Sequence, residues 1–320
     1  YSKGKDTTPI AFRIIGKVSL ADLDGISSSS EGIQIKGKSG YSTMNMTFEG
    51  VGDDATVYGF GFLVRNSKSV EFRNFAIMRC LDDAMSLDTQ NSNIWIHHMD
   101  LFYGKKGSAA DQAKGDGTVD IKGNSKYVTV AFNHFWDNGK CNLQGMKSES
   151  TENYITYHHN WYDHSDSRHP RIRTCSVHIY NNYYDGNAKY GVGVTMGASA
   201  FVENNYFRNC NYPMLISKQG SDDLSGGTFS GENGGVIKAC GNYITGAKAY
   251  TTYQQDPTDF DAYEVSNAKE TVPSSVKAKQ GGTTYNNFDN SSVMYSYTSD
   301  SPEEAKEKVM ARAGRVDGGD

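Results

Sequence analysis

One phrase recurs along this chain, and its period constrains the fold more than any other feature. An alternating β run ends in Asn and an aromatic or apolar residue follows. The phrase reads Val128-Thr-Val-Ala-Phe-Asn133, Ile155-Thr-Tyr-His-His-Asn160, Val177-His-Ile-Tyr-Asn-Asn182, Ala200-Phe-Val-Glu-Asn-Asn205 and Ile237-Lys-Ala-Cys-Gly-Asn242. A shorter form is Val70-Glu-Phe-Arg-Asn74, and Ile94-Trp-Ile-His-His-Met99 carries Met where Asn is expected. The Asn spacings are 27, 22, 23 and 37, the last enlarged by a Gly/Ser-rich stretch, Gly220 to Gly235, that reads as a loop. A period of 22–27 is that of a solenoid. The runs alternate with period 2 and leave no room for a helix in each repeat, and the leucine pattern of a leucine-rich repeat is absent. The expected fold is therefore all-β: a right-handed parallel β-helix whose coils stack about 4.8 Å apart. Asn at one turn position then has a reason, since it tolerates the left-handed region and its amide reaches the same Asn one coil away. Aromatic residues after it are expected to stack in the interior.

Composition agrees. Of 320 residues 34 are Gly, 21 Tyr and only 6 Pro, a β-type balance with Asn-rich breaks. One domain over 1–320 is the simplest division. A C-terminal helix is expected over about 301–314, where Ser301-Pro302-Glu303-Glu304 places Pro and acids in a first turn, and it is read as an end cap of the solenoid. No helix is legible at the N-terminal end, and the polar opening at Tyr1 reads as the start of a processed or truncated product. The net charge of −5 argues against a nucleic-acid-binding protein, and no apolar run approaches a membrane span. Five cysteines (Cys80, Cys141, Cys175, Cys210, Cys240) form no metal-type pair and at most two bridges, so they do not decide the redox compartment.

Four stretches carry chemistry: Asp82-Asp83-Ala-Met-Ser-Leu with Ile94-Trp-Ile-His-His98; Asp116-Gly-Thr-Val-Asp120-Ile-Lys-Gly; Lys140-Cys-Asn-Leu-Gln-Gly145; and His158-His-Asn-Trp-Tyr followed by Arg168-His-Pro-Arg-Ile-Arg173. Asp116 and Asp120 stand four apart in a strand-like run and share a face. Asp83 would reach the same place from a neighbouring coil. Acids so clustered suit a hard divalent cation. Arg168 and Arg173 flank Pro170, and Arg171 shares a strand face with Arg173. The ordinary reading of each charge is a solvated acid or a surface salt bridge worth little. His158 and His159 sit inside the repeated phrase, where coil packing accounts for them. Tyr183, Tyr184 and Tyr190 are aromatic candidates to line a binding cleft.

Together, in this order across residues 70–210, these stretches resemble the pectate lyases of polysaccharide lyase family 1. The resemblance implies Ca²⁺-dependent, endo-type β-elimination of α-1,4-polygalacturonate. It implies Arg168 as the base that takes the C5 proton, Lys140 and Arg173, joined by Arg171, on substrate carboxylates, and Asp83, Asp116, Asp120 and Asp82 on the metal. A guanidinium ordinarily stays protonated below about pH 12, so a base at Arg168 implies cationic surroundings and activity rising toward alkaline pH. An extracellular enzyme that meets its polymer outside the cell follows from such a substrate, and with no feature that suggests an obligate oligomer a monomer is expected. One departure is His97, where the family usually carries Asp. The alternatives are a pectin lyase on methyl-esterified chains, which would lack the acidic cluster; a hydrolase with an acidic acid/base pair, whose motifs are not seen; and a non-catalytic β-solenoid that binds carbohydrate.

Overall fold

The computed structural model describes residues 3–25, 32–104, 114–147, 149–220 and 229–315. All pairings between its named strands are parallel, and the chain winds as a right-handed parallel β-helix. Each coil contributes three short strands, as in Lys126–Ala131, His134–Trp136 and Lys140–Gln144. The third strands stack into an eight-stranded sheet that carries Met85–Thr89, Gly117–Ile121, Lys140–Gln144, Arg171–Arg173 and Tyr190–Thr195 in succession. The first and second strands form two further strips, joined at one end by the long strand Ser42–Tyr58, which pairs with both Ser67–Arg73 and Ala76–Met78.

The Asn phrase marks the corner between those two strips. The side-chain amide of Asn133 donates to Asn160 Oδ1 (3.1 Å), Asn160 to Asn182 (3.0 Å), Asn182 to Asn205 (3.0 Å) and Asn205 to Asn242 (3.0 Å). Each acceptor oxygen also takes the backbone N–H of the Asn before it, so the ladder satisfies groups that no sheet reaches at the corner. The expected left-handed backbone lies one residue earlier, at Phe132, His159, Asn181, Asn204 and Gly241. The ladder Asn is kept for its amide, not for its φ. In the two preceding coils Met99 and Phe75 occupy the ladder position, and Asn74 takes the left-handed one (φ +59°).

The aromatic expectation divides by parity. The second residue after each Asn points inward, and Phe135, Tyr162, Tyr184 and Phe207 stack at 5.1, 5.0 and 4.2 Å between centroids. The first points outward, as in His134 on Trp161 (4.5 Å). Period-2 alternation at 4.8 Å coil spacing brings equivalent rings to stacking distance. All five cysteines carry free thiols.

The C-terminal helix forms over Pro302–Arg312, with Ser301 as N-cap and a reciprocal Ser301–Glu304 capping box. It does not cap the solenoid end. It packs on the flank, with Lys306 over Tyr183 and Tyr206 and Arg312 over Phe132, and the chain then runs back to Asp100 through Arg315 (2.8 Å). At the C-terminal end of the stack, Phe260, Val272, Val276, Tyr285 and Phe288 close the core instead. Those residues lie in irregular chain without the repeat, which is why its pattern gave no sign of them. No helix among the described residues is long and apolar enough to cross a membrane.

Candidate active site

The eight-stranded sheet presents a cleft of about 380 Å³. Asp82, Asp83, Asp116, Asp120, Lys122, Lys140 and Arg168 line it, over an apolar floor that includes Leu63 and Leu143. The coil register explains the convergence. Ala84 donates to the Gly117 carbonyl (3.3 Å), Gly117 is paired with Lys140, and Lys140 is bridged to Ser167. One lateral position on four successive coils thus supplies acids, acid, Lys and Arg.

Asp82, Asp83 and Asp116 each offer a carboxylate oxygen within 4.8 Å of the others. Asp120 stands beside them and accepts from the Leu143 N–H (3.1 Å). Gly117 sits between the carboxylates: a Cβ there would lie 2.6 Å from Asp120 Oδ1 and 2.7 Å from Asp83 Oδ1. The space is reserved for oxygen atoms. Burial, and then the charge of Asp120, push the Asp83 carboxyl well above its ordinary range, against the pull of Lys122. Burial also raises Asp120, countered by Lys122 and Arg168. Carboxylates crowded this way, with hard oxygen donors and a cradle that admits no side chain, fit a divalent cation of the Ca²⁺ type. Asp82, which the family resemblance assigned to the metal with the other three, lies inside the cluster.

Lys122 was not singled out from the sequence. Its Nζ lies 3.5 Å from Asp83 Oδ2, and the charges of Asp120 and Asp83 raise it, although burial opposes them. Its position two residues after Asp120, on the same strand face, was the available signal. Lys140 Nζ lies 3.5 Å from Asp116 Oδ1.

Arg168 adopts a left-handed backbone (φ +63°), which costs a non-glycine residue on the order of 1 kcal/mol. The surrounding chain holds it there. Its carbonyl accepts from Asn142 N (2.7 Å), and the next residue is locked on three sides. His169 Nδ1 meets the Tyr190 carbonyl (2.7 Å), its Nε2 meets Ser165 Oγ (2.7 Å), and its own carbonyl accepts from Tyr184 Oη (2.9 Å). Burial pushes His169 down to about 3, so a neutral ring with Nδ1–H donating anchors the turn that carries Arg168. Burial raises the Tyr190 hydroxyl, and the nearby charge of Arg168 opposes that rise.

Arg171 and Arg173 lie on the same coil as Arg168, a few residues further along it, on the outward face of their strand with Ile172 inward. They do not line the cleft described above. Both are bound by Glu232, Arg173 through Nε at 2.9 and 3.0 Å and Arg171 through Nη2 at 3.2 Å. Of the three tyrosines considered, only Tyr190 is near the site. Tyr184 is in the interior stack, and Tyr183 lies on the outer flank beside Tyr206. His97 is on a different strip, against Glu71 (3.1 Å) and stacked on Trp95, and is not part of the cleft. The departure at His97 therefore leaves the acidic cluster untouched. His158 and His159 lie in the stacked corner as coil packing requires.

Comparison with known proteins agrees with this geometry. The family described as pectate lyase matches residues 32–317. Pectate lyase 3 of Pectobacterium carotovorum is 31% identical over 297 residues, covering 90% of this chain and 71% of that protein. Among solved structures, a pectate lyase from Bacillus sp. N165 in complex with trigalacturonate superposes with a TM-score of 0.66 at 23% identity, covering 98% of this chain and 88% of that one. Pectate lyase C from Erwinia chrysanthemi, at pH 9.5 with 30 mM Ca²⁺, gives 0.67 at 23% identity, covering 98% and 93%. Repeat, cleft and relatives converge, and the chain belongs to the pectate lyase family.

Proposed function

We propose that the chain is a Ca²⁺-dependent pectate lyase that cleaves α-1,4-polygalacturonate by endo-type β-elimination, and that it works outside the cell as a monomer of one domain. The observation that carries this reading is the row of acids, Lys140 and Arg168 at one lateral position on successive coils. A uronate polymer carries one carboxylate per sugar. The difficult moment is loss of the C5 proton, when charge builds on that carboxylate; cations fixed beforehand lower its cost. Asp82, Asp83, Asp116 and Asp120 would hold Ca²⁺, which when bound supplies positive charge beside the sugar carboxylate. Lys140 adds a point charge, and Arg171 and Arg173 offer guanidinium groups to a neighbouring sugar. Arg168 in its neutral form takes the C5 proton; the C5–H electron pair forms the C4=C5 double bond, and the C4–O bond breaks with its electrons leaving on the glycosidic oxygen, which takes a proton from water. His169 keeps Arg168 aimed.

The test is incubation with polygalacturonate, with Ca²⁺ or with chelator, at neutral and alkaline pH. Ultraviolet absorbance of the unsaturated chain end that needs Ca²⁺ and rises with pH is expected. Arg168→Ala should lose at least a hundredfold in turnover while remaining folded, the scale of a positioned base. New reducing ends without that absorbance would mean hydrolysis and would overturn the reading.

A further inference from the structure

We infer that Glu232 is a positioning residue for the carbohydrate-binding arginines: it grips Arg173 by its Nε edge and leaves the Nη edge to take a sugar carboxylate. The inference rests on the pectate reading of Arg173. Three guanidinium groups, from Arg168, Arg171 and Arg173, act together on the buried hydroxyl of Tyr190. Left alone, they would repel one another and splay. Glu232 is the acid that holds two of them. Both its oxygens meet Arg173 Nε, at 2.9 and 3.0 Å, and among the described residues Nη1 and Nη2 of Arg173 have no hydrogen-bond partner. Arg171 is bound through Nη2 to Glu232 and to Ser230 Oγ, both at 3.2 Å, with its plane over Phe229.

The carboxylate is a built fixture rather than a displaceable plug. Glu232 N donates to Ser230 Oγ (3.1 Å). The two residues after it are pinned from both sides: Asn233 O accepts from Met196 N (2.6 Å), Gly234 O accepts from Gly197 N (2.9 Å), and Gly234 N donates to Gln280 O (2.9 Å). Burial would raise the Glu232 carboxyl, but the hydrogen bond and charge of Arg173, with the charge of Arg171, outweigh it and keep the group ionised. A carboxylate at Nε fixes the plane of the guanidinium, and a bidentate contact to a second carboxylate depends on that plane. Glu232 lies 59 residues from Arg173 in sequence, which leaves it outside any local motif.

The test compares wild type, Glu232→Gln, Glu232→Asp and the combination of Arg173→Ala with Glu232→Gln. Steady-state kinetics on polygalacturonate are read beside calorimetric binding of pentagalacturonate with Ca²⁺ present. Glu232→Gln should raise KM and weaken binding about tenfold, the worth of one charge-assisted contact, with kcat near the wild-type value. Glu232→Asp should recover part of the loss, and Glu232→Gln should cost nothing more once Arg173 is Ala. A purely structural role would lower the melting temperature without this split. Unchanged or tighter binding by Glu232→Gln, or a full further loss in the Arg173→Ala background, overturns the inference. Wild type that binds the oligomer but yields no unsaturated product refutes elimination and leaves the binding comparison decisive; wild type that binds nothing refutes both.

Discussion

Replacing Asn182 by Ala removes the central rung of the corner ladder. Asn182 is fully buried. Its Oδ1 accepts from the backbone N–H of Asn160 and from Asn160 Nδ2, both at 3.0 Å. Its Nδ2 donates to Asn205 Oδ1 (3.0 Å), Tyr157 O (3.0 Å) and Tyr180 O (3.2 Å). Not all of these groups are stranded by the change. Asn160 Nδ2 keeps Val130 O (2.8 Å), and Asn205 Oδ1 keeps the backbone N–H of residue 182 (2.8 Å). The Asn160 N–H loses its acceptor outright, and the Tyr157 and Tyr180 carbonyls each lose a donor. A stranded buried N–H costs about 1–3 kcal/mol, and each lost bond whose partner can be re-satisfied about 1 kcal/mol. The expected loss is about 3–5 kcal/mol, a large part of the ~5–15 kcal/mol that holds an ordinary domain. Urea unfolding followed by circular dichroism gives the midpoint. Asn211→Ala is the control, because its amide makes a single bond to Ala188 O (2.7 Å) in an exposed setting. The ladder stands on a different corner from the cleft, so kcat/KM per folded molecule should not change. A midpoint shift for Asn182→Ala no larger than that of Asn211→Ala would refute the ladder as a structural requirement.

Two further outcomes are expected. Asp83→Asn should stabilise the protein in chelator, since a carboxyl whose pKa is raised by burial and by the charge of Asp120 opposes folding at neutral pH. The same variant should abolish any rise in melting temperature on adding Ca²⁺; calorimetric scans with and without the ion read both effects, and a Ca²⁺ shift equal to wild type would remove Asp83 from the metal site. Stability should fall steeply as pH drops below about 6.5, where unfolded imidazoles take up protons. Burial holds His98 down to about 4 and His158 and His169 down to about 3, so each contributes stability at neutral pH that is lost progressively down to its folded value. His134 has the opposite sign. Its ion pairs with Asp100 and Asp163 outweigh burial and raise it to about 9, so its contribution is complete below pH 6.5 and disappears as pH rises through 9. Denaturant midpoints from pH 4 to 10 test this, and a His134→Gln variant that keeps the wild-type loss between pH 7 and 9 would refute the assignment.

Much of this was legible in the residues. The Asn and aromatic recurrences are properties of single coils, so strict stacking turns them directly into ladders and ring columns. Acids, Lys140 and Arg168 sit in short motifs at one place in successive coils, and regular register brings them together. The misreadings share a different cause. Tyr183 and Tyr184 differ by one residue and face opposite sides of the sheet, which period 2 requires but a cluster of tyrosines does not reveal. The terminal helix was read correctly as a helix, from its Pro, acids and Ser cap, and incorrectly as an end cap, because its docking on Phe132, Tyr183 and Tyr206 is a matter of where the tail returns.

The sequence by itself therefore determined the coil: its period, its corner amide, its inward rings and the residue types that each coil offers at one lateral position. Those are local, repeated choices, and stacking at a fixed spacing multiplies them without further information. Tertiary structure alone decided which charges meet across unequal loops. It set Lys122 against Asp83, reserved space at Gly117 for carboxylate oxygens, and brought Glu232 back from an inserted loop onto Arg171 and Arg173. The last of these depends on the path of irregular chain, which obeys no period, so only the folded molecule specifies it.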